Sequence, residues 1–416
     1  MDTALWNDTG VHDKEPFSAL TDHSKDSVSY MQREITRICR DFGPRSPGSD
    51  GEQHAAEYMA DVLRRECGCP EVQVESFTGH PDSFYGYFYC SMVCDTLCGV
   101  LFFIQPWLSI LSGSLGLLLF LFHFVLYKQV IDPLFPKKRG TNVTAVRPCC
   151  GEVRQRIFLN GHTDAAWEFT LNYLFGGIVF EIPGIMATIG VFYFLSVSAC
   201  RLCGAGDWTY SAGMWGLIYI PFFLLLGLTY NPKRIADGAN DNLSGCMMGI
   251  ALLREMEKHG IQTEHTEIGV ILTGSEEAGL RGAKAWCRAH QDDYRDVPTG
   301  IICFDTIQDP RHLMVNRKDL NGTVAADASL CDAFLRAAKA AGVPCRTGKV
   351  PMFGGATDSA AFTQGGFRSV AVTGLSHKLE RFYHTRLDTS DHLNPEALEN
   401  CYKAVAELVR RLEEDS

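Results

Sequence analysis

The stretch Glu267-Ile268-Gly269-Val270-Ile271-Leu272-Thr273-Gly274-Ser275-Glu276-Glu277-Ala278-Gly279 joins an apolar run of strand length to an acidic, glycine-bounded turn. From about 279 to 290 the apolar residues then recur at helical spacing. A buried strand, a polar turn and a helix in succession form one unit of an α/β layered domain. Working outward, Thr141–Val146, Arg156–Asn160, Gly300–Phe304 and Ser369–Val372 are further short apolar runs, and Val72–Phe77 alternates. Helices are expected at 26–42, 50–66, 244–258, 326–341 and 394–413, with Gly260 and Gly342 placed to stop the third and fourth. The pattern predicts an α/β fold with a mostly parallel central sheet.

Two greasy stretches interrupt that pattern. Thr96 to Tyr127 contains no Asp, Glu, Lys or Arg. It is too long for one crossing of a hydrocarbon layer, which takes about 20 residues, and Pro106 breaks it near the middle. Extended back to Phe88, it divides into two short crossings joined at Gln105-Pro106-Trp107. The second stretch, Leu171 to Tyr230, is split by the polar segment Arg201–Trp208 into crossings near Phe175–Ala199 and Trp208–Tyr230. Its one awkward charge, Glu181 beside Pro183, is expected at the interface or against a neighbouring helix. Buried helices of soluble proteins rarely run this long without a polar face, so an integral, multi-pass membrane protein in contact with the lipid bilayer is expected.

If 1–87, 128–170 and 231–416 build one sheet, all three lie on one side of the bilayer. Insertions 88–127 and 171–230 must then each cross an even number of times. Two transmembrane helical hairpins follow, four crossings in all. Lys128, Lys137, Lys138, Arg139, Lys233 and Arg234 flank the domain side, against Arg201 on the far side, which places the domain toward the cytoplasm. The sixteen cysteines point the same way: several sit inside apolar runs, as reduced thiols do, and Cys67-Gly68-Cys69 and Cys149-Cys150 lack a second pair at zinc-finger spacing. The first thirty residues are polar, so no signal peptide is expected.

Composition narrows the classes further. With 46% hydrophobic and 21% charged residues the chain is neither disordered nor fibrous. Its 38 Lys and Arg against 49 Asp and Glu, net −11, and the lack of a basic tract argue against nucleic acid as a partner.

Chemistry-bearing residues collect at expected strand ends and helix starts. They are Gly161-His162-Thr163-Asp164, the run Asp237-Gly238-Ala239-Asn240-Asp241-Asn242-Leu243-Ser244-Gly245, then Glu276-Glu277, Asp305, and Phe382-Tyr383-His384-Thr385. Open α/β sheets bind ligands beyond the carboxyl ends of their strands. Histidines and carboxylates converging there suit zinc, and the number of carboxylates suits two Zn2+ rather than one. One carboxylate would bridge the ions, a bridging hydroxide would be the nucleophile, and a free carboxylate would carry its proton to the leaving amine. Adjacent Glu276 and Glu277 suggest that one holds metal while the other handles protons. Each piece alone has a bland reading: a surface turn for His-x-Asp, an acidic helix start for the Glu pair, an N-cap for the Asn/Asp cluster or for Asp305. Their joint occurrence at strand ends carries the inference.

With Gly43-Pro44-Arg45-Ser46-Pro47-Gly48-Ser49, Asn240-Asp241-Asn242-x-Ser244-Gly245 and Gly274-Ser275-Glu276-Glu277-x-Gly279-Leu280-x-Gly282, the sequence resembles the co-catalytic zinc aminopeptidases of metallopeptidase family 28. The resemblance implies a membrane-anchored zinc exopeptidase acting on peptide substrates. It implies that His162 and Asp305 hold one zinc, Glu277 and His384 the other, and that Asp241 bridges both. It makes Glu276 the general base and acid, Tyr383 the donor to the oxyanion, and Asp164 the partner that fixes the His162 ring. Gly354-Gly355-Ala356-Thr357-Asp358-Ser359 resembles a family loop near the substrate pocket, where Asp358 would contribute unless it caps a helix.

The departures from the pattern are the two insertions. The second separates His162 from Asp241, which lie close together in the soluble members. A site opening near the bilayer, with membrane-associated or amphipathic peptides as substrates, is the expectation this raises. Rival readings are a carboxypeptidase, for which Arg281, Arg381 or Arg386 would receive the substrate carboxylate, a glutaminyl-cyclase-like enzyme, a non-catalytic receptor or scaffold, and a transporter.

Overall fold

From one edge to the other, the eight strands of the main sheet run Glu71–Gly79, Lys138–Arg147, Thr266–Thr273, Gln155–His162, Thr299–Ile307, Arg368–Gly374, Leu313–Asn316 and Arg346–Gly348. The computed structural model from which this is read describes residues 15–352, 354–376 and 379–416. The central strands Thr266–Thr273, Gln155–His162, Thr299–Ile307 and Arg368–Gly374 are mutually parallel. Lys138–Arg147 and Leu313–Asn316 flank them antiparallel, so the sheet is mixed, with its parallel part at the centre.

The near-continuous apolar strands reflect burial on both faces. Ile157 and Leu159 point into one core, beneath the helices Ser24–Asp41, Asp50–Glu66, Ser244–Lys258, Ala328–Ala340 and Pro395–Glu414. Phe158 points into the other, with Trp286, Phe362 and Phe367. Helix starts follow the capping chemistry of the sequence: Ser49, Asp327 and Asn394 each accept a backbone N–H of the first turn. The expected strands and helices are present, each shifted by no more than three residues at either end. The short strand Leu313–Asn316 and the edge strand Arg346–Gly348 were not expected, and a helix, Asp358–Gln364, does open at Asp358.

The two insertions emerge as an apolar helical bundle. The first stretch divides just before Pro106, as expected, and Pro106 opens the second helix in the first-turn position where its missing N–H costs nothing. Pro106–Val125, Gly177–Leu202 and Trp208–Leu228 are long and apolar enough, by length and composition, to cross a membrane. The fourth expected crossing, Ser83–Leu101, is not among them; it carries Asp95, which lies buried in the bundle with Oδ1 unpartnered. Glu181 is exposed in the first turns of Gly177–Leu202. Among the described residues, Asp95 is the buried carboxylate of the bundle. Outward, Ile104, Leu111, Ile178, Trp215 and Ile218 are each more than 60% exposed, part of an apolar surface that soluble proteins rarely present to water. Inside, small residues let the helices approach: at Gly213 the Phe102 ring occupies the space a Cβ would need.

Both insertions are pinched at their bases. Trp167–Phe169 pairs antiparallel with Tyr230–Ile235, zipping together the two ends of the second. For the first, Ser83 donates to Asp132 Oδ1 at 2.6 Å, and the Arg281 guanidinium grips both Asp132 oxygens at 2.7 and 2.8 Å. Burial pushes the Asp132 carboxyl up, but the Arg281 and Ser83 hydrogen bonds outweigh it and hold the group below its ordinary value. Removing one partner of a buried pair strands the other charge, so Asp132→Asn should cost on the order of 3 kcal/mol. Because the folded-state pKa is depressed, this stabilisation is present above the ordinary carboxylate range and is lost as pH falls through the lower folded value. Thermal melting in detergent should show the gap between wild type and variant closing as the pH drops below about 4; a constant gap would exclude an ionic origin.

Candidate metal centre

The sheet brings the acidic and imidazole side chains to one end. His162 terminates Gln155–His162, Asp305 lies near the end of Thr299–Ile307, and Glu276 and Glu277 follow Thr266–Thr273. Asp241 sits in the turn before Ser244–Lys258, and His384 in a loop after Arg368–Gly374. Asp241 is the hinge of the arrangement: its Oδ1 is 3.2 Å from His162 Nε2, and its Oδ2 is 3.1 Å from His384 Nε2. Glu277 Oε2 is 3.2 Å from the same His384 nitrogen, and Glu276 Oε2 is 3.7 Å from His162 Nε2. Three overlapping triads result, His162–Asp241–Asp305, Asp241–Glu277–His384 and His162–Glu276–Glu277, each with one ligand-capable atom per residue within 4.8 Å of the others.

Short-range packing explains the motif spellings. Asn242 Nδ2 donates to Phe304 O at 2.7 Å, and Ser244 Oγ both donates to Asn240 O and accepts from Ile307 N, tying the turn to the neighbouring strand. A Cβ at Gly245 would come 2.5 Å from Phe304 O, and one at Gly282 would come 2.2 Å from Gly274 O, so neither position admits a side chain. Ser275, Leu280, Thr306 and His384 all take positive φ without being glycine, a clustering of strained backbone typical of functional sites.

The groups behind these residues are as specific. Asp164 accepts the backbone N–H groups of both Glu276 and Glu277 at 3.0 Å, and lies 3.4 Å from His162 Nδ1. Asp388, which the motifs do not mark, accepts from Asn240 N, Asn240 Nδ2 and Asp241 N at 2.8–3.0 Å and so fixes the turn that carries the Asp241 carboxylate. Its only sequence signal is its position four residues beyond His384. Glu52 accepts from the Ser275 N–H and hydroxyl, and Arg45 reaches Thr163 O, Asp237 O and Gly238 O at 2.8–3.1 Å. Arg45 thereby joins the His162 loop to the Asp241 turn.

Tyr383 is half-buried, its ring stacked 4.0 Å from that of His384. Burial, then the Asp241, Asp305 and Glu277 carboxylates, raise its phenol well above the ordinary value, so it stays a neutral donor. Asp358 opens the helix Asp358–Gln364, but Thr357 is the residue that caps it; the Asp358 carboxylate is buried and accepts from the Thr273 hydroxyl. Of the arginines considered for a substrate carboxylate, Arg281 is buried on Asp132 and Arg386 is held bidentate by Glu168 at 2.6 Å. Arg381 donates to Tyr173 O.

Electrostatics favour cations here. Burial lifts Glu276 and Glu277 well above the ordinary range; for Glu277, Asp241 adds to the push. Asp305 is raised to about 7 by burial and by Asp241. Asp241 is the opposite case: burial raises it, and the close His162 and His384 imidazoles more than reverse that. Among the described residues, the ion-pair partners of Asp164, Asp241, Glu276 and Glu277 are the two histidines, with no Lys or Arg. His162 Nε2, Asp241 Oδ2 and Glu277 Oε1 are buried without a hydrogen bond from the protein. Crowded carboxylates and orphaned donor atoms of N and O type fit divalent zinc. Asp388→Asn, which sets an NH2 against N–H groups it must accept, should weaken zinc binding roughly 10–100-fold in a chelator competition; unchanged affinity would show that the Asp241 turn holds itself.

Solved structures share this architecture. The LapA aminopeptidase of Legionella pneumophila superposes with a TM-score of 0.54 at 12% identity, covering 99% of this chain and 78% of that one. BSAP, a zinc aminopeptidase from Bacillus subtilis, gives 0.53 at 13% identity with 94% of each chain covered. A Bacteroides thetaiotaomicron glutaminyl cyclase gives 0.53 at 14%, covering 94% and 97%. At such identities the likeness is one of fold. No curated protein matches the chain in sequence. Residues 227–409, which carry Asp241, Glu276, Glu277, Asp305 and His384, match peptidase family M28.

Proposed function

We propose that the chain is a zinc-dependent metallo-aminopeptidase, a hydrolase that releases N-terminal residues from peptides, held at a bilayer by its two apolar hairpins. The single observation that carries the reading is the Asp241 carboxylate, one oxygen toward each histidine, with Glu276 beside it and free of any Lys or Arg. The match to peptidase family M28 and the fold shared with zinc aminopeptidases support the same reading.

His162 and Asp305 would hold one zinc, Glu277 and His384 a second, and Asp241 both. Bound zinc supplies Lewis acidity and lowers the pKa of water. Glu276, its carboxyl kept basic by burial, takes a proton from the attacking water and passes it to the departing amine. Tyr383 donates its phenol proton in a hydrogen bond to the oxygen that gains charge as the carbonyl is attacked. Asp164 keeps the glutamate pair in register through their backbone N–H groups.

Glu276→Ala should leave the metal content unchanged at two zinc per chain and reduce hydrolysis of aminoacyl-anilides by about 10²–10⁴-fold, the usual worth of a general base. Wild type with two zincs and no anilide hydrolysis, but turnover of N-terminal glutaminyl peptides, would move the chain to cyclase chemistry.

The basic residues Lys128, Lys138, Arg139, Lys233 and Arg234 at the bases of the hairpins support a cytoplasmic domain with four crossings. Cys203, exposed between the two helices of the second hairpin, and Cys150, exposed on the domain, then lie on opposite sides. An impermeant maleimide applied to sealed right-side-out vesicles should label a single-cysteine Cys203 chain and spare the Cys150 chain. The converse pattern would invert the topology, and equal labelling would remove the membrane from the proposal. The apolar surface beside the site favours amphipathic peptide substrates, so a rate that does not depend on peptide hydrophobicity would sink that specificity.

A further inference from the structure

The two histidines of the metal centre are oriented by different parts of the chain. His162 Nδ1 lies 3.3 Å from the backbone oxygen of Asp164 and 3.4 Å from its carboxylate, both within the sheet domain. His384 turns Nε2 toward Asp241 and Glu277, which leaves Nδ1 facing away from the centre. There its partner is the phenol oxygen of Tyr85, at 3.4 Å. Tyr85 stands in the first turn of Ser83–Leu101, the opening helix of the first apolar hairpin.

Tyr85 is 5% exposed and tightly placed. Its ring meets Trp167 and Phe169 edge-on at 5.7 Å and Tyr230 at 5.3 Å, the residues of the ladder that closes the second insertion. Two residues earlier, Ser83 is locked to Asp132 and Arg281. Arg281 itself begins the helix that follows the Glu276-Glu277 turn. The His384 ring is meanwhile packed between Tyr383 at 4.0 Å and Phe169 at 4.5 Å, leaving rotation about its own axis as the freedom a hydrogen bond must remove. A neutral imidazole that coordinates through Nε2 carries its proton on Nδ1, and that proton needs an acceptor.

We propose that Tyr85 is a positioning residue for the metal centre: its oxygen accepts the His384 Nδ1–H and holds Nε2 toward the zinc shared by Asp241 and Glu277. On this account the first hairpin is a structural part of the active site as well as an anchor. The proposal rests on the two-zinc reading above, and the experiment separates the two.

Zinc affinity of the full-length, detergent-purified protein is measured by chelator competition for wild type and Tyr85→Phe, with melting of the metal-free proteins as a check on the fold. Phenylalanine keeps the ring contacts and removes only the oxygen. Wild type should bind two zincs; the variant should hold one with unchanged affinity and the other roughly 10–100-fold more weakly. The absorption spectrum of the cobalt-substituted variant should change for one ion and not both, and kcat should fall with KM little altered. Two zincs bound alike by both proteins would overturn the role of Tyr85 and leave the two-zinc reading standing. A wild type that binds no zinc would overturn both.

Discussion

A single carboxylate lies between two imidazoles in this molecule, and much else is arranged to keep it there. Asp241 has no freedom to relax: Asp388 grips its backbone, Asn242 and Ser244 tie its turn to the neighbouring strand, and Arg45 braces the loop on the other side. The surrounding carboxylates repel one another in a buried setting, a cost that protons or bound cations offset. The fold therefore supplies rigidity where electrostatics alone would open the site.

The cluster of acidic and imidazole side chains was readable because each member sits in a short motif at a strand end or helix start, where periodicity marks the place and chemistry marks the residue. The elements were readable for the same reason: Gln155–His162 and Thr266–Thr273 are apolar on both faces because both faces are buried. What could not be read is long-range pairing. Asp388 meets Asn240, Glu52 meets Ser275 and Tyr85 meets His384 across separations of 148, 223 and 299 residues, and no local pattern encodes such a meeting. The edge strand Arg346–Gly348, three residues long, carries too few side chains to show a period.

The apolar insertions show the limit of reading charge by inspection. Glu181 drew attention as a charge in a greasy run, yet it is exposed, while Asp95 is buried against the close approach of Gly116. Counting charged residues along a segment does not tell which way they face; helix packing does. The same packing explains why the bundle is rich in glycine and serine at its contacts, with Ser109 donating to Cys98 O and Ser198 donating to Ser109 Oγ.

The order of the sheet also governs when the protein can exist. Gln155–His162 lies between strands that begin 104 and 137 residues after His162, at Thr266 and Thr299, and His384 comes later still. Both hairpins precede all of these in the chain. As synthesis proceeds from the N-terminus, both apolar hairpins are complete while the domain is still an open set of unpaired strands, and the Asp241–Glu277–His384 cluster cannot close until nearly the whole chain has been made. A truncated or stalled product would carry the apolar hairpins without the Asp241–Glu277–His384 cluster.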